Sequence, residues 1–106
     1  MISQEIINEI RDKIIEMEKP QKIILFGSYA KGTANEKSDL DLLIIEETDL
    51  IPPKRAFKLR WELAGYPFDT DLIVKTPKEF NKWQDISISF NATIKREGKV
   101  LYEQKI

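Results

Sequence analysis

The sequence contains no cysteine and no histidine among its 106 residues. Disulfides and thiolate metal sites are therefore excluded, and so are zinc hydrolase sites and Ser-His-Asp catalysis within this chain. No apolar run is long enough to cross a membrane. If the chain is an enzyme, its chemistry must come from carboxylates, hydroxyls, lysine or arginine, or from a bound metal.

The sequence also lacks an excess of charge of either sign. Seventeen basic and eighteen acidic residues give a net charge of −1. Because nucleic-acid binding is typically marked by a basic stripe, direct binding to nucleic acid is not expected. The polar start of the chain shows no secretory signal pattern, which favours a cytoplasmic protein with no membrane contact. The length and the 42% hydrophobic content predict a single domain over residues 1–106.

Predicted helices and strands alternate along the chain. Isoleucines at helical spacing predict an amphipathic helix over residues 3–18 with Ser3 as its N-cap. Apolar runs rich in branched residues predict strands at residues 22–26, 38–45, 68–74 and 99–102. Other helices are predicted at residues 28–31, after Pro52-Pro53, at 77–83 and at 88–96. The order α-β-α-β-α-β-α-α-β predicts one sheet covered by helices.

Two aspartates stand at the polar end of the second predicted strand. Since strand side chains alternate between faces, Asp39 and Asp41 project on the same side. Two carboxylates held this close repel each other, and a divalent cation such as Mg²⁺ turns that repulsion into binding. An Asp-x-Asp by itself is more often a solvated strand end, because charges at strand ends are common.

Three further features favour a metal and phosphate site. Gly27-Ser28 leaves a buried strand and opens a short helix, where N–H groups and a hydroxyl can bind phosphate, although the pair also fits an ordinary N-cap. The pattern Gly-Ser-x10-Asp-x-Asp arises by chance on the order of once in a thousand such chains. Asp69 and Asp71 begin the third strand on one shared face. If that strand lies beside the Asp39 strand, the converging carboxylates suit two-metal phosphoryl chemistry.

The segments Gly27 to Gly32 (GSYAKG) and Ser38 to Leu42 (SDLDL) together resemble the signature of the DNA polymerase β superfamily of nucleotidyltransferases. Within that superfamily the chain resembles the minimal nucleotidyltransferases of prokaryotes, from its first helix to residues 94–102. The resemblance implies the α+β nucleotidyltransferase fold, with one mixed β-sheet covered by helices. It also implies Mg²⁺-dependent transfer of AMP from ATP, or of another nucleoside monophosphate, onto an acceptor hydroxyl with release of pyrophosphate.

By position, the resemblance implies that Asp39, Asp41 and Asp71 are catalytic and hold two Mg²⁺ ions. Asp71 would also assist deprotonation of the acceptor, and it is preferred to Asp69 because family members carry this aspartate directly before a Leu-Ile-Val stretch. The implied nucleotide-binding residues are Gly27, Ser28, Lys31 and Ser38. A solvated Lys31 remains the alternative for that residue.

The resemblance also implies a partner chain. In two-gene toxin–antitoxin modules, minimal nucleotidyltransferases pair with HEPN-domain toxins, which are all-helical ribonucleases, and adenylylate a tyrosine of the toxin. This chain has no thumb and no second substrate domain, so an acceptor site shared with a partner, or an oligomer of the chain, is expected. The alternatives are a small-molecule enzyme similar to the longer aminoglycoside nucleotidyltransferases, and a non-catalytic binding module, against which the intact motifs argue.

The helix after Pro52-Pro53 carries charges and aromatics without an assigned role. Its cations predict a solvated face, with a nucleotide or an acidic partner as the alternative; they are Lys54, Arg55, Lys58 and Arg60. Its apolar face is predicted to consist of Ala56, Phe57, Leu63 and Ala64. Phe57, Phe80 and Phe90 are predicted core residues. Trp61 and Trp83 are predicted to pack on the core or its rim, where an exposed one could anchor a partner.

Overall fold

The computed structural model describes residues 1–82 and 89–105, which form ten helices and strands. The helices are α1 (Gln4–Glu18), α2 (Ser28–Lys31), α3 (Pro52–Arg55), α4 (Phe57–Leu63), α5 (Pro77–Lys82) and α6 (Phe90–Glu97). The strands are β1 (Lys22–Phe26), β2 (Leu40–Ile45), β3 (Thr70–Lys75) and β4 (Lys99–Glu103). The predictions for Trp83 and Ile88 fall outside the described residues.

The four strands form one mixed sheet in the order β3-β2-β1-β4. β1 pairs antiparallel with both β2 and β4, and β2 pairs parallel with β3. The predicted α+β fold with one mixed sheet and helical cover is therefore confirmed. Because β2 and β3 are parallel neighbours, the acidic starts of both strands meet at the same end of the sheet.

The two faces of the sheet are covered by different helices. On one face, Leu42 and Ile44 pack with Ile10 and Ile14 of α1. On the other face, Leu43 and its neighbours pack with residues of α5 and α6; this cluster contains Ile24, Leu43, Ile45, Phe80 and Ile94. A strand covered on both sides reads as a continuous apolar run rather than an alternating one, which is the pattern of residues 42–45.

The predicted helix after Pro52-Pro53 is two helices. The chain changes direction at Ala56, whose φ of −95° and ψ of 5° interrupt the helix. The residues that α4 buries are Leu59 and Leu63, four positions apart, whereas Phe57 is 71% exposed and Trp61 is 80% exposed. The prediction that Phe57 belongs to the core is therefore wrong, because the break at Ala56 rotates the following residues about the helix axis.

Two arginines of this helical pair protect the free edge of β3. Arg60 Nη2 donates to the carbonyl of Leu72 at 3.4 Å, and Arg55 Nη1 donates to that of Val74 at 3.3 Å. An uncovered edge strand presents unpaired backbone groups to other chains, and such side chains block that pairing. The prediction of a solvated cationic face is wrong for Arg55, whose side chain is only 8% exposed.

Arg55 also joins β3 to α5 through Glu79. Its guanidinium donates to both carboxylate oxygens of Glu79, at 2.6 and 3.2 Å. Glu79 simultaneously forms the predicted capping box with Thr76, accepting from its backbone N–H at 2.8 Å and donating its own N–H to the Thr76 hydroxyl. These hydrogen bonds, that of Arg55 first, lower the pKa of Glu79 to about 2. The stabilisation is therefore present above about pH 4.5 and is lost as the pH falls towards 2.

Glu46, just after β2, has a raised pKa, whereas the pKa of Glu79 is lowered. Its Oε1 atom is buried and has no hydrogen-bond partner in the part of the chain that the structure describes. Burial, followed by the charge of the nearby Glu18, raises the pKa of Glu46 to about 7. A raised carboxyl pKa means that the folded state holds its proton more tightly than the unfolded chain. Stability is therefore lost as the pH rises from about 4.5 through 7.

Replacing Glu46 by glutamine should stabilise the chain at pH 8 and not at pH 4.5. The amide removes the repulsion from Glu18, and since the site is only half buried we expect about 1 kcal/mol, or about 4–8 °C in Tm. Thermal unfolding followed by circular dichroism at both pH values measures the difference. Glu47→Gln, at the exposed neighbouring position, is the matched control and should leave Tm unchanged. An equal gain at both pH values would contradict the prediction.

None of the helices within residues 1–82 and 89–105 has both the length and the apolar character of a membrane span.

Candidate active site

Strand pairing brings Asp41 and Asp71 together at the end of the sheet where Asp39 also lies. Asp41 of β2 lies directly opposite Asp71 of β3 in the parallel register, and neighbouring strands are about 4.8 Å apart. Asp39 comes immediately before β2, and its charge acts on Asp41. The structure thus brings Asp71 next to Asp41, although the two residues are 30 positions apart in sequence.

The charges of Asp71 and Asp39 act on the carboxyl group of Asp41. Burial raises the pKa of Asp41, and the charges of Asp71 and Asp39 raise it further. Asp39 and Asp71 are exposed, so they flank a half-buried Asp41. Asp69 is exposed and is not among the charges that act on Asp41, which favours Asp71 as the third member of the site. Holding three like charges together without compensation is unfavourable, and a cation would relieve that repulsion.

The carboxylate oxygens of these aspartates are the kind of ligand that Mg²⁺ prefers, but they do not enclose an ion by themselves. Among the residues that the structure describes, no three acidic side chains lie close enough together to hold a metal ion by themselves. Mg²⁺ in nucleotide sites usually takes one or two carboxylates and completes its shell with phosphate oxygens and water. Asp39, Asp41 and Asp71 therefore suit an ion that is bound together with a polyphosphate.

Gly27 brings the predicted phosphate turn against this carboxylate group. Its φ of 72° and ψ of −154° lie in a region that is essentially restricted to glycine. A Cβ atom built on Gly27 would overlap with Oδ2 of Asp41. This close approach follows from the antiparallel register, in which Asp41 lies opposite Phe26, the residue before the glycine. The turn and the acidic strand start are thus in direct contact.

Ser28 opens α2 with its hydroxyl free. Both Ala30 and Lys31 donate their backbone N–H to the carbonyl of Gly27 at 3.1 Å, which closes the turn. Within the described residues Ser28 Oγ makes no hydrogen bond, so it is available to a ligand. Backbone N–H groups at the start of a helix lack intrahelical partners and suit an anion.

The other two residues predicted to bind nucleotide already have contacts of their own. Ser38 Oγ accepts the backbone N–H of Asn35 at 2.9 Å and so shapes the loop before β2. Lys31 Nζ lies 3.5 Å from Glu97 Oε2 of α6, with both side chains about half exposed. An ion pair this exposed is weak. Lys31 would have to leave Glu97 to reach a phosphate.

Sequence reasoning missed an aromatic contact of Phe26, the residue opposite Asp41 on β1. Phe26 packs edge-on against Phe90, with 5.4 Å between ring centroids. Lys75 Nζ lies 4.8 Å from the Phe90 centroid and donates to Asn91 Oδ1 at 2.7 Å, and burial lowers the pKa of Lys75. The prediction that Phe90 belongs to the core is wrong, because Phe90 is 38% exposed and only part of it packs against other residues. Only the buried, polar Asn91 on an otherwise apolar helix face hinted at this contact.

Carboxylates from two adjacent parallel strands, together with a glycine-serine turn, form the kind of site that binds a nucleoside triphosphate through a divalent cation. Residues 7–99 match the family model described as "Nucleotidyltransferase domain", and the chain belongs to that family. It is a nucleotidyltransferase.

Individual relatives support the same assignment. A Methanocaldococcus jannaschii protein named "Putative protein adenylyltransferase MJ0604" is 37% identical over 100 residues, which are 93% of each chain. A crystal structure of a toxin–antitoxin with AMP-PNP contains a chain that is 26% identical, with a TM-score of 0.62, over 92% of this chain and 74% of the other. A Sulfolobus solfataricus protein with 16% identity and a TM-score of 0.67, over 94% of this chain and 79% of its own, shares the fold.

Proposed function

We propose that residues 1–106 act as one protein adenylyltransferase domain, which transfers AMP from ATP to a hydroxyl of a toxin of the HEPN type and so serves as its antitoxin in the cytoplasm. The observation that carries this proposal is the contact between the Gly27 turn and Asp41, with Asp71 opposite Asp41 on β3. A triphosphate lying along the turn would have its α-phosphorus near these carboxylates.

Each residue then has a role that its geometry supports. Ser28 Oγ, which has no other partner in the described chain, would donate to a β- or γ-phosphate oxygen. Gly27, which has no side chain, allows the Asp41 carboxylate to lie against the turn that would hold the phosphates. Asp39, Asp41 and Asp71 would hold two Mg²⁺ ions, which neutralise phosphate charge and lower the pKa of the acceptor hydroxyl when bound.

Asp71 is the aspartate best placed to face an acceptor, because it lies on β3 at the end of the sheet order. Its carboxylate would take the proton of the acceptor hydroxyl as that oxygen attacks the α-phosphorus. The new O–P bond forms in line with the bond to the β-phosphate, which breaks and releases pyrophosphate. Catalysis of this kind depends on positioning and charge stabilisation rather than on a reactive side chain.

The protein substrate is supported by the relatives. The Methanocaldococcus jannaschii relative carries the name "Putative protein adenylyltransferase MJ0604" and matches 93% of the chain. The solved structure with AMP-PNP is a toxin–antitoxin, so a relative of this chain has been observed with an ATP analogue.

The test is transfer of label from ATP to the protein encoded by the gene next to this one. With [α-³²P]ATP and Mg²⁺, the neighbouring protein should become labelled, and pyrophosphate should accumulate in equal amount. [γ-³²P]ATP is the control, because nucleotidyl transfer leaves that phosphate in pyrophosphate and gives no labelled protein. Label from the γ position, or label on an aminoglycoside panel and not on the protein, would overturn the proposal.

A further inference from the structure

An apolar surface on α4 is left uncovered by the part of the chain that the structure describes. Phe57 and Trp61, one helical turn apart, are both exposed, and Met17 of α1 lies beside them and is 40% exposed. Together with Lys58 and Glu62 they line a shallow depression of about 530 Å³. We call these five residues the α4 patch. Aromatic side chains usually lie in a core or an interface, so two of them left side by side in water indicate an interaction surface.

The α4 patch lies away from the candidate active site. Met17 is in the last turn of α1, after which the chain enters β1 at Lys22, opposite Ile45 at the far end of β2 from Asp41. α1 and α4 share one hydrophobic cluster with Leu42. Because side chains alternate along a strand, Asp41 points to the opposite face of the sheet from Leu42. A molecule that covers the patch therefore leaves the aspartates and the glycine-serine turn open.

The charges of the patch balance within one helical turn. Lys58 and Glu62 are its only charged members, both are exposed, and neither forms an ion pair with another residue in the described ranges. A patch without net charge gives no attraction to nucleic acid or to a partner of one charge sign. A contact between two copies related by a two-fold axis instead requires a surface that is complementary to itself. A patch with one charge of each sign meets this requirement.

Two copies of α4 satisfy both charges when they pack antiparallel. A two-fold axis that passes α4 at the level of Arg60, midway between Lys58 and Glu62, places Lys58 of each copy at the height of Glu62 of the other. The two residues are four positions apart and so lie on one side of the helix, which brings both ion pairs to the same side of the contact. Trp61 is one position from the axis, so the two tryptophans meet at the centre. Parallel packing would instead place Lys58 against Lys58.

We propose that the α4 patch is the contact surface of a homodimer in which two α4 helices pack antiparallel and Lys58 of each copy pairs with Glu62 of the other. Tryptophan at the centre of an interface commonly dominates its binding energy, and burial of Trp61 and Phe57 would supply the attraction here. Five residues from each chain are fewer than the roughly 20–30 that a stable interface usually contains, so the dimer should dissociate on dilution. Its two active sites stay open, since the patch and Asp41 lie on opposite faces of the sheet.

The test compares Trp61→Ala with Val100→Ala in the full chain. Val100 is 53% exposed on β4, at the other edge of the sheet, and is the matched control. Sedimentation velocity over a range of concentrations gives the dissociation constant of the dimer without nucleotide or acceptor, so the result is independent of the proposed function. The Trp61→Ala substitution should raise this constant roughly 30-fold or more, whereas Val100→Ala should leave it unchanged. An unmodified chain that stays monomeric at every concentration, or a Trp61→Ala chain that dimerises equally well, would contradict the proposal.

Charge variants test the antiparallel arrangement and do not depend on Trp61. The single substitutions Lys58→Glu and Glu62→Lys each place two pairs of like charges in the homodimer and should weaken it by about 10-fold at low salt, and by less as salt screens the repulsion. A mixed dimer of the two variants contains only opposite pairs, because the introduced glutamate faces the introduced lysine and the native Glu62 faces the native Lys58. Native mass spectrometry of an equimolar mixture should therefore show more mixed dimer than random pairing gives. A random distribution would exclude the antiparallel contact.

A third outcome would assign the patch to a different protein. If the Trp61→Ala chain dimerises like the unmodified chain but no longer binds the product of the neighbouring gene, a partner of another sequence occupies the patch and the homodimer is wrong. If Trp61→Ala lowers the Tm of the chain as well as its association, the mixed dimer of the charge variants still decides the question, because both of their changed side chains are exposed.

Discussion

Replacing Asp41 by asparagine is expected to abolish nucleotidyl transfer while leaving the chain at least as stable as before. Asparagine keeps the shape of the side chain and removes a charge that the proposed mechanism needs for binding Mg²⁺-ATP. Loss of a group that stabilises phosphate charge in the transition state should lower kcat by about 10³-fold or more, corresponding to about 4 kcal/mol. The measurement is the rate of pyrophosphate release with the protein acceptor present.

The Asp41→Asn substitution should raise the stability of the chain, although it abolishes transfer. Burial and the charges of Asp71 and Asp39 raise the pKa of Asp41, so its ionised form is disfavoured in the folded state. Stability is lost as the pH rises through that pKa, and at neutral pH the substitution removes the repulsion. Because Asp41 is only half-buried, the gain in Tm should be no more than a few degrees. A residue whose loss abolishes activity but not stability is typical of a functional site.

Asp69→Asn is the matched control for this experiment. Asp69 is exposed, lies two residues before Asp71, and does not contribute to the raised pKa of Asp41. The Asp69→Asn chain should keep most of its transfer rate. Transfer that survives in Asp41→Asn, or that is lost equally in Asp69→Asn, would contradict the proposed arrangement of the site.

Replacing Gly27 by alanine should damage both the fold and the site. The added Cβ would overlap with Asp41 Oδ2, and the backbone at φ 72° and ψ −154° is strained for any residue with a side chain. We expect a loss of about 1–3 kcal/mol in the free energy of unfolding. Displacement of the Asp41 carboxylate should also slow transfer by about 10²-fold, the order expected for a shift of about 1 Å in a catalytic group.

Gly32→Ala separates backbone strain from the collision with Asp41. Gly32 also has a positive φ, 77°, but a Cβ built there meets no atom within 4 Å. This substitution should cost about 1 kcal/mol of stability through strain alone and leave the transfer rate at the level of the unmodified chain. Chemical denaturation and pyrophosphate release are measured on both variants. Equal loss of transfer in the two would show that strain, and not contact with Asp41, is responsible.

Local patterns were sufficient to predict much of the fold. The predicted bounds of β1 were correct because Gln21 and Gly27 delimit the run on both sides. The N-cap at Ser3, which accepts the N–H of Ile6 at 3.2 Å, and the Thr76–Glu79 capping box were correct because both depend on residues three positions apart. Such contacts are determined by the nearby sequence, whatever the rest of the chain does.

Contacts between distant parts of the chain could not be predicted in the same way. The break at Ala56 lies next to Arg55, whose side chain is held by Val74 and Glu79, residues 19 and 24 positions away. The position of Asp71 opposite Asp41 depends on strand pairing, which periodicity within one strand cannot give. Lys31 was predicted to bind nucleotide, and its ion pair with Glu97 was not predicted, because that pair joins two helices that are far apart in sequence. The catalytic roles of the aspartates stay predictions.

The division of the aspartates between two strands has a consequence for how such a domain can diversify. Asp41 belongs to the interior strand β2, which is fixed by neighbours on both sides, and Asp39 comes immediately before it. Asp71 belongs to the boundary strand β3, which is bordered outward by α3 and α4. Substitutions on the outer surface of α4 therefore leave the interior strand untouched. Under the proposed function, substitutions along this boundary could change the acceptor while the binding of the triphosphate is retained.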